Sequence, residues 1–304
     1  MTPEREPSQR IVVVAGMPRA ATTFLYHTLA KHPQAWVPAR KEIEYFSLNH
    51  YRGTDWYRSF FEGAAEHQVG FDISPIYFMV PEVPERIRKF DPSAKIVLLV
   101  RDPVEFVLSF YANRRGATHE DIGFEAFLSG HTYSKDGRTV ELVFDDGRIR
   151  SAIEGFRSAF GANLLLCSYE SLRHDPLPVL MAIEAFAGMQ SYFTSGNFEN
   201  VRVNAGDQRN IVWLNWMMHQ KWFADAVVRL VPRSLILRAR YWVQTRRKGG
   251  SEASSVPEWE GDRSLAEARL VGDRRYVQEL FRGAGLLLGS GEPFPAAAHG
   301  TGAG

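Results

Sequence analysis

Residues 11–33 read IVVVAGMPRAATTFLYHTLAKHP. An apolar, β-branched run stops at Gly16, a short loop follows, and Phe24, Leu25, Thr28 and Leu29 then fall on one helical stripe. A strand that turns through a tight loop into a helix aims the free N–H groups and positive dipole end of that helix at whatever lies beyond the strand. This is a setting for an anion. Small side chains at Ala20 and Ala21 let a ligand approach the backbone, and Thr22 and Thr23 offer hydroxyls. Arg19, beside Pro18, offers a forked cation for phosphate or sulfate oxygens. Against the pattern G-x-x-x-x-G-K-[ST], Ala21 replaces the second glycine and Thr22 the lysine, while Thr23 alone matches. A nucleoside triphosphate relies on that lysine and on a metal, so a less charged phosphoryl donor suits the loop better. The competing reading is a tight βα turn that binds nothing.

Two further apolar runs, KIVLLV (95–100) and NLLLCSY (163–169), lack strict alternation, as strands buried on both faces of a parallel sheet do. A weaker strand is expected near VGFDIS (69–74). Helical patterns lie between them. VPERIRKF is one, and DPVEFVLSFYANRR is another, with Asp102 as N-cap, Pro103 at the first helical position and Glu105 where a capping box would place it. DPLPVLMAIEAFAG repeats the Asp-Pro start and closes on Gly188. Strands alternating with helices predict right-handed crossovers and an α/β fold: a P-loop-like, doubly wound parallel sheet flanked by helices. Ligands of such sheets bind beyond the carboxyl ends of the strands. Arg101 should therefore emerge at the tip of its strand, with Ser109 about two helical turns further on. Arg101 could instead simply pair with Glu105. Two anion sites at matching sheet edges nevertheless describe one nucleotide with phosphates at both ends.

The 304 residues carry 36 Lys and Arg against 35 Asp and Glu, a formal net charge of +1, which argues against a nucleic-acid coat or a strongly basic membrane binder. The single cysteine, Cys167, excludes an intrachain disulfide and a cysteine metal cage, and reads as a small core residue. The polar start MTPEREPSQR resembles no signal segment, and charges interrupt every apolar stretch before a bilayer-spanning length. A cytoplasmic protein without a transmembrane segment is expected.

With these residues in hand, the chain resembles the sulfotransferase family, which uses 3′-phosphoadenosine 5′-phosphosulfate. GMPRAATTFL (16–25) is similar to the family's 5′-phosphosulfate loop, commonly P-[RK]-[SA]-G-T-T, and RDPVEFVLSFY (101–111) to its 3′-phosphate motif. ARKEIEYFS (39–47), FDISPIYFMVPEVPERIRKFDPSAK (71–95) and SYESLRHDPLPVLMAIEAFAG (168–188) are similar to segments of the branch that includes the glycosaminoglycan sulfotransferases. The likeness runs over about residues 10 to 205. It implies that Pro18, Arg19, Ala20, Ala21, Thr22 and Thr23 hold the 5′-phosphosulfate and that Arg101 and Ser109 hold the 3′-phosphate. It also implies that Glu42 is the general base of an in-line displacement. A carboxylate there could take the proton of an attacking hydroxyl, while Arg19 offsets charge on the leaving oxygen. No metal is needed in such a scheme. Glu42 could also be a solvated surface acid beside Lys41. Glu44 would face away from Glu42 if the segment is extended, Asp72 is a second candidate acid, and His27 and His32 read as parts of the first helix and its end. Ile73 stands where the glycosaminoglycan branch often has a lysine, and Phe106 where it has arginine.

The expected organisation is one sulfotransferase domain over 1–304. Its α/β core spans 10–205, a helical C-terminal part spans 206–290, and an unstructured tail covers 291–304. Residues 211–245 mix Trp213, Trp216 and Trp222 with arginines at helical spacing. They read as a packed helical pair, as a lid over the acceptor site, or as a homo-oligomer or membrane-surface contact. A mobile loop over 246–262 and a further helix over 263–286 are expected after them, and either 203–210 or 246–250 would complete the nucleotide site. The acceptor would be a carbohydrate or small molecule with a free hydroxyl. The alternatives are a P-loop kinase or NTPase, against which Thr22 speaks, and a non-catalytic nucleotide-binding scaffold.

Overall fold

A computed structural model describes residues 10–118, 122–135, 137–196, 198, 260–289 and 291–292. The expected strands form as β1 (Ile11–Val14), β3 (Val69–Ile73), β4 (Lys95–Val100) and β7 (Leu164–Ser168). Four strands were not foreseen: the two-residue β2 (Ala35–Trp36), β5 (His131–Lys135) and β6 (Arg138–Leu142), which form a hairpin, and β8 (Leu286–Leu288). The main sheet has the order β2-β3-β1-β4-β7-β8. Its first five strands run parallel and β8 pairs antiparallel with β7 at the edge. Almost every residue of β1, β3, β4 and β7 is buried, which is why their sequences are unbroken apolar runs.

Helices α1 (Thr22–Leu29), α2 (Thr54–Arg58), α3 (Val83–Phe90), α4 (Pro103–Thr118), α5 (Phe124–Ser129), α6 (Arg148–Phe160), α7 (Tyr169–His174) and α8 (Pro176–Ala187) follow the chain through the core. Asp102 caps α4 as expected, its Oδ1 accepting from the N–H groups of Val104 at 2.9 Å and Glu105 at 3.1 Å. Glu105 does not close a capping box. Its carboxylate lies 2.8 Å from Arg263 and 3.8 Å from Arg101, and the Asp102 N–H donates instead to Glu170 at 3.2 Å. Asp175 caps α8, and Gly188 ends it at φ 71°, the left-handed conformation that favours glycine.

Where one long helix was expected over 263–286, the chain forms α9 (Glu260–Arg269) and α10 (Val271–Leu280), broken at Leu270 (φ −117°). The break has a partner. Asp146, just before α6, accepts from the N–H groups of Gly272 and Asp273 that open α10. Asp273 in return accepts from those of Ile149 and Arg150 at the start of α6, at 3.1 and 2.8 Å. Each helix is thus capped by a side chain from the other's entrance. The Trp-rich stretch 211–245, the segment 203–210, residues 246–259 of the expected loop and the tail beyond Glu292 lie outside the described residues. No helix among those described is long and apolar enough to cross a membrane.

Candidate functional site

Neighbouring strands bring the two basic motifs together. β1 and β4 are paired, and beyond them the Ala15 and Met17 N–H groups donate to the Val97 and Leu99 carbonyls at 3.0 and 2.8 Å. Gly16 allows this approach, because a Cβ there would sit 2.5 Å from that of Leu99. The loops after the two strands are therefore held side by side. Arg101 donates from Nη1 to the Arg19 carbonyl at 3.0 Å, and the Arg19 Nε lies 3.5 Å from the Ser109 Oγ.

The loop itself is bent. Arg19 (φ 67°) and Ala21 (φ 60°) both occupy the left-handed region, which for a non-glycine residue costs about 1–2 kcal/mol. Ala21 takes the angle that glycine would take at little cost. No side chain caps α1, so its opening N–H groups remain directed at the loop's concavity. Ala20 is an exception among the expected cradle residues. It is fully buried beneath the loop and its N–H donates to the Met17 carbonyl at 3.2 Å.

Pro18, Arg19, Ala21, Thr22 and Thr23 line a pocket of about 610 Å³, together with Arg101, Ser109 and Tyr169. Arg101, its side chain 12 % exposed, lies 4.6 Å over the Tyr169 ring, and its Nε is buried with no hydrogen-bond partner. The salt bridge to Glu105 weighed from sequence exists, but at 3.8 Å it leaves that donor unused. Burial first, and then the neighbouring Arg101 charge, hold the Arg19 guanidinium below its ordinary pKa, with Glu42 partly opposing. Two desolvated cations and an uncapped helix N-terminus form a place that an anion stabilises.

The same pocket is lined by a second cluster, Lys41, Glu42, Glu44 and Tyr133, and also by Asn113 and the apolar Phe24, Pro75, Ile76 and Phe110. Glu42 and Glu44 do not alternate across an extended segment, as the sequence suggested. Both have positive φ, 60° and 55°, and both line the pocket. Asp72 does not line it and works from below. Fully buried, it accepts from Ser74 Oγ at 2.6 Å and Tyr77 Oη at 2.8 Å. Ser74 Oγ accepts from the Glu44 N–H and Tyr77 Oη from the Phe46 N–H, at 3.1 and 3.2 Å. The strained Glu42–Glu44 turn is thus fastened to β3 through Asp72, whose pKa burial raises to about 6.

Glu42 is 31 % exposed and pairs with Lys41, while Lys135 from the tip of β5 lies 3.8 Å from its Oε2. Lys135 also lies 2.8 Å from Glu44 Oε1, which accepts from Tyr133 Oη at 3.2 Å as well. Sequence reading missed Lys135, Tyr133, Asn113 and Tyr169. His27 and His32 are buried away from the pocket, His32 Nε2 lying 3.1 Å from the Gln190 carbonyl and 3.3 Å from Glu184.

The family model for the sulfotransferase domain matches residues 9–211. The chain belongs to the sulfotransferase family. Among its relatives, the mouse heparan sulfate glucosamine 3-O-sulfotransferase 5 is 36 % identical over 186 residues, 58 % of this chain and 53 % of that protein. The mouse bifunctional heparan sulfate N-deacetylase/N-sulfotransferase 4 is 29 % identical over 197 residues, 60 % of this chain and 22 % of that protein. The chain thus spans between about a fifth and a half of the length of these curated relatives. A crystal structure of a sulfotransferase from Alicyclobacillus acidocaldarius shares the fold with a TM-score of 0.50 and 20 % identity, covering 77 % of this chain and 96 % of that one. The mostly parallel sheet flanked by helices is the P-loop-like fold of this family.

Proposed function

We propose that the chain transfers a sulfuryl group from 3′-phosphoadenosine 5′-phosphosulfate to a hydroxyl of a carbohydrate or small-molecule acceptor. The observation that carries the reading is the meeting of two basic loops at neighbouring strand tips, one on a helix N-terminus and the other holding a buried, unpartnered guanidinium donor. A nucleotide charged at both ends suits that pair. The 18–23 loop would hold the 5′ end and Arg101 with Ser109 the 3′-phosphate. Bound there, the nucleotide supplies an activated sulfuryl group on a phosphate leaving group.

The chain's own residues do the rest. Glu42, partly exposed at the acceptor end, takes the proton of the incoming hydroxyl. Lys41 and Lys135 stand beside that carboxylate and stabilise its charge by proximity. Arg19 turns from Ser109 towards the phosphate oxygens and stabilises the charge that gathers on the leaving side. The apolar wall and Asn113 orient the acceptor.

Thermal melting tests the assignment. Adenosine 3′,5′-bisphosphate should raise the melting temperature without magnesium, by the linkage that stabilises any protein binding ligand only when folded. Stabilisation by ATP only in the presence of magnesium would instead identify a kinase or NTPase.

A further inference from the structure

Glu44 is 1 % exposed, lines the acceptor end of the pocket, and has one carboxylate oxygen fully committed. Its Oε1 accepts from Lys135 and Tyr133, but its Oε2 is buried with no hydrogen-bond partner. A buried acceptor left unsatisfied is costly, of order 1–3 kcal/mol and more when charged. In agreement, burial raises the Glu44 pKa against the opposing pull of Lys135. The turn that carries Glu44 is itself strained and anchored through Ser74 to Asp72. That anchoring fixes Glu44 two residues from Glu42, at the same end of the same pocket.

We propose that Glu44 is a specificity-determining residue, its Oε2 accepting a hydrogen bond from a second donor on the acceptor, adjacent to the hydroxyl that Glu42 deprotonates. The inference rests on the sulfuryl-transfer reading and narrows its acceptor. The preferred molecules carry two neighbouring donors, as a vicinal diol or an amino alcohol does, and have an apolar part to lie on Phe24, Pro75, Ile76 and Phe110. They are neutral or cationic. The two lysines at this end are matched by the two glutamates, Lys41 by Glu42 and Lys135 by both. The acceptor end therefore offers a polyanion no surplus charge from these four residues, and a donor-rich uncharged ring fits it better.

The test compares trans-cyclohexane-1,2-diol and trans-2-aminocyclohexanol with cyclohexanol, which has the ring and one hydroxyl but no second donor, and with N-sulfated heparosan oligosaccharide, using labelled sulfuryl donor. Wild-type protein should sulfate the diol and the amino alcohol at least tenfold more efficiently, in kcat/KM, than cyclohexanol, and should not favour the oligosaccharide. In Glu44→Gln that ratio should collapse toward one, mostly through KM. The stabilisation by adenosine 3′,5′-bisphosphate should be unchanged. Preference for the oligosaccharide, or a ratio that survives Glu44→Gln, overturns the inference while leaving sulfuryl transfer intact. Absence of the bisphosphate's stabilisation in wild type would instead strike the underlying reading. Glu44→Asp, which keeps the charge and withdraws the oxygen, should lose the ratio as the glutamine variant does.

Discussion

At the scale of single residues, the site is built on backbone angles that side chains ordinarily avoid. Arg19, Ala21, Glu42 and Glu44 are the non-glycine residues with positive φ among those described, and all four line the pocket. Strain concentrated where the surrounding structure enforces it is a mark of a functional site. Ala21→Gly should relieve one such angle and stabilise the fold by about 0.5–1 kcal/mol, the left-handed penalty less the extra entropy of glycine. Chemical denaturation would measure it. Glu42→Gln should lower kcat by a factor of about 10²–10⁴, the range for a lost general base, and leave the affinity for adenosine 3′,5′-bisphosphate unchanged. Full activity in that variant would remove Glu42 from the role. Arg101→Ala should weaken nucleotides with a 3′-phosphate by about 1.5–3 kcal/mol in calorimetric titration, as for a lost charged hydrogen bond, and hardly affect analogues lacking it.

Pro18, Arg19, Arg101 and Ser109 could be read from the chain because strand-then-loop patterns fix where a residue emerges, whatever the rest of the molecule does. Asn113 was within reach of the same logic, four residues beyond Ser109 on α4. Tyr169 was too, immediately after β7 at a strand tip. The relation of Glu42 to Glu44 was not legible. Alternation presumes extended backbone, and the left-handed turn is imposed by Asp72, Ser74 and Tyr77, thirty residues away in sequence.

At the scale of elements, unbroken apolar runs announced the parallel strands, and Asp-Pro starts announced α4 and α8. The hairpin of β5 and β6 escaped although TYSKDGRTV carries alternation around an Asp-Gly pair, a strong turn signal. Missing it cost Lys135 and Tyr133, the groups that reach Glu44. The single helix expected over 263–286 was divided by a long-range event, the reciprocal capping of α6 and α10 by Asp273 and Asp146. Periodicity continues across Leu270 and could not disclose it. Asp273→Ala should unpin the C-terminal helices from the core at a cost of about 2 kcal/mol, from the loss of two backbone-to-carboxylate bonds. Hydrogen exchange should then quicken in α9 and α10 before it does in β1 or β4.

For the whole molecule, the sheet order puts β1 at the centre, between β3 and β4. The loops that carry Arg19 and Arg101 follow β1 and β4, and the Glu42–Glu44 turn is tied to β3, so three adjacent strands position the pocket. Asp72 couples that pocket to global stability. Its carboxyl titrates near 3.8 when unfolded and about 6 when folded, so the folded state binds the proton more tightly. Stability relative to Asp72→Asn should therefore fall as pH rises from about 4 to 6, by on the order of 2–3 kcal/mol, and level off above. Parallel curves for the two proteins would contradict it. The proposed pairing of one polyanionic nucleotide with a far less charged acceptor agrees with a nearly matched net charge and with a pocket that holds both the Arg19–Arg101 pair and lysines matched by glutamates.

The most direct measurement is a crystal structure with adenosine 3′,5′-bisphosphate. The 3′-phosphate should lie within hydrogen-bonding distance of the Arg101 guanidinium and Ser109 Oγ, and the 5′-phosphate on Arg19 and the N–H groups that open α1. A nucleotide bound elsewhere, or bound here with both guanidinium groups turned away from its phosphates, would contradict this placement.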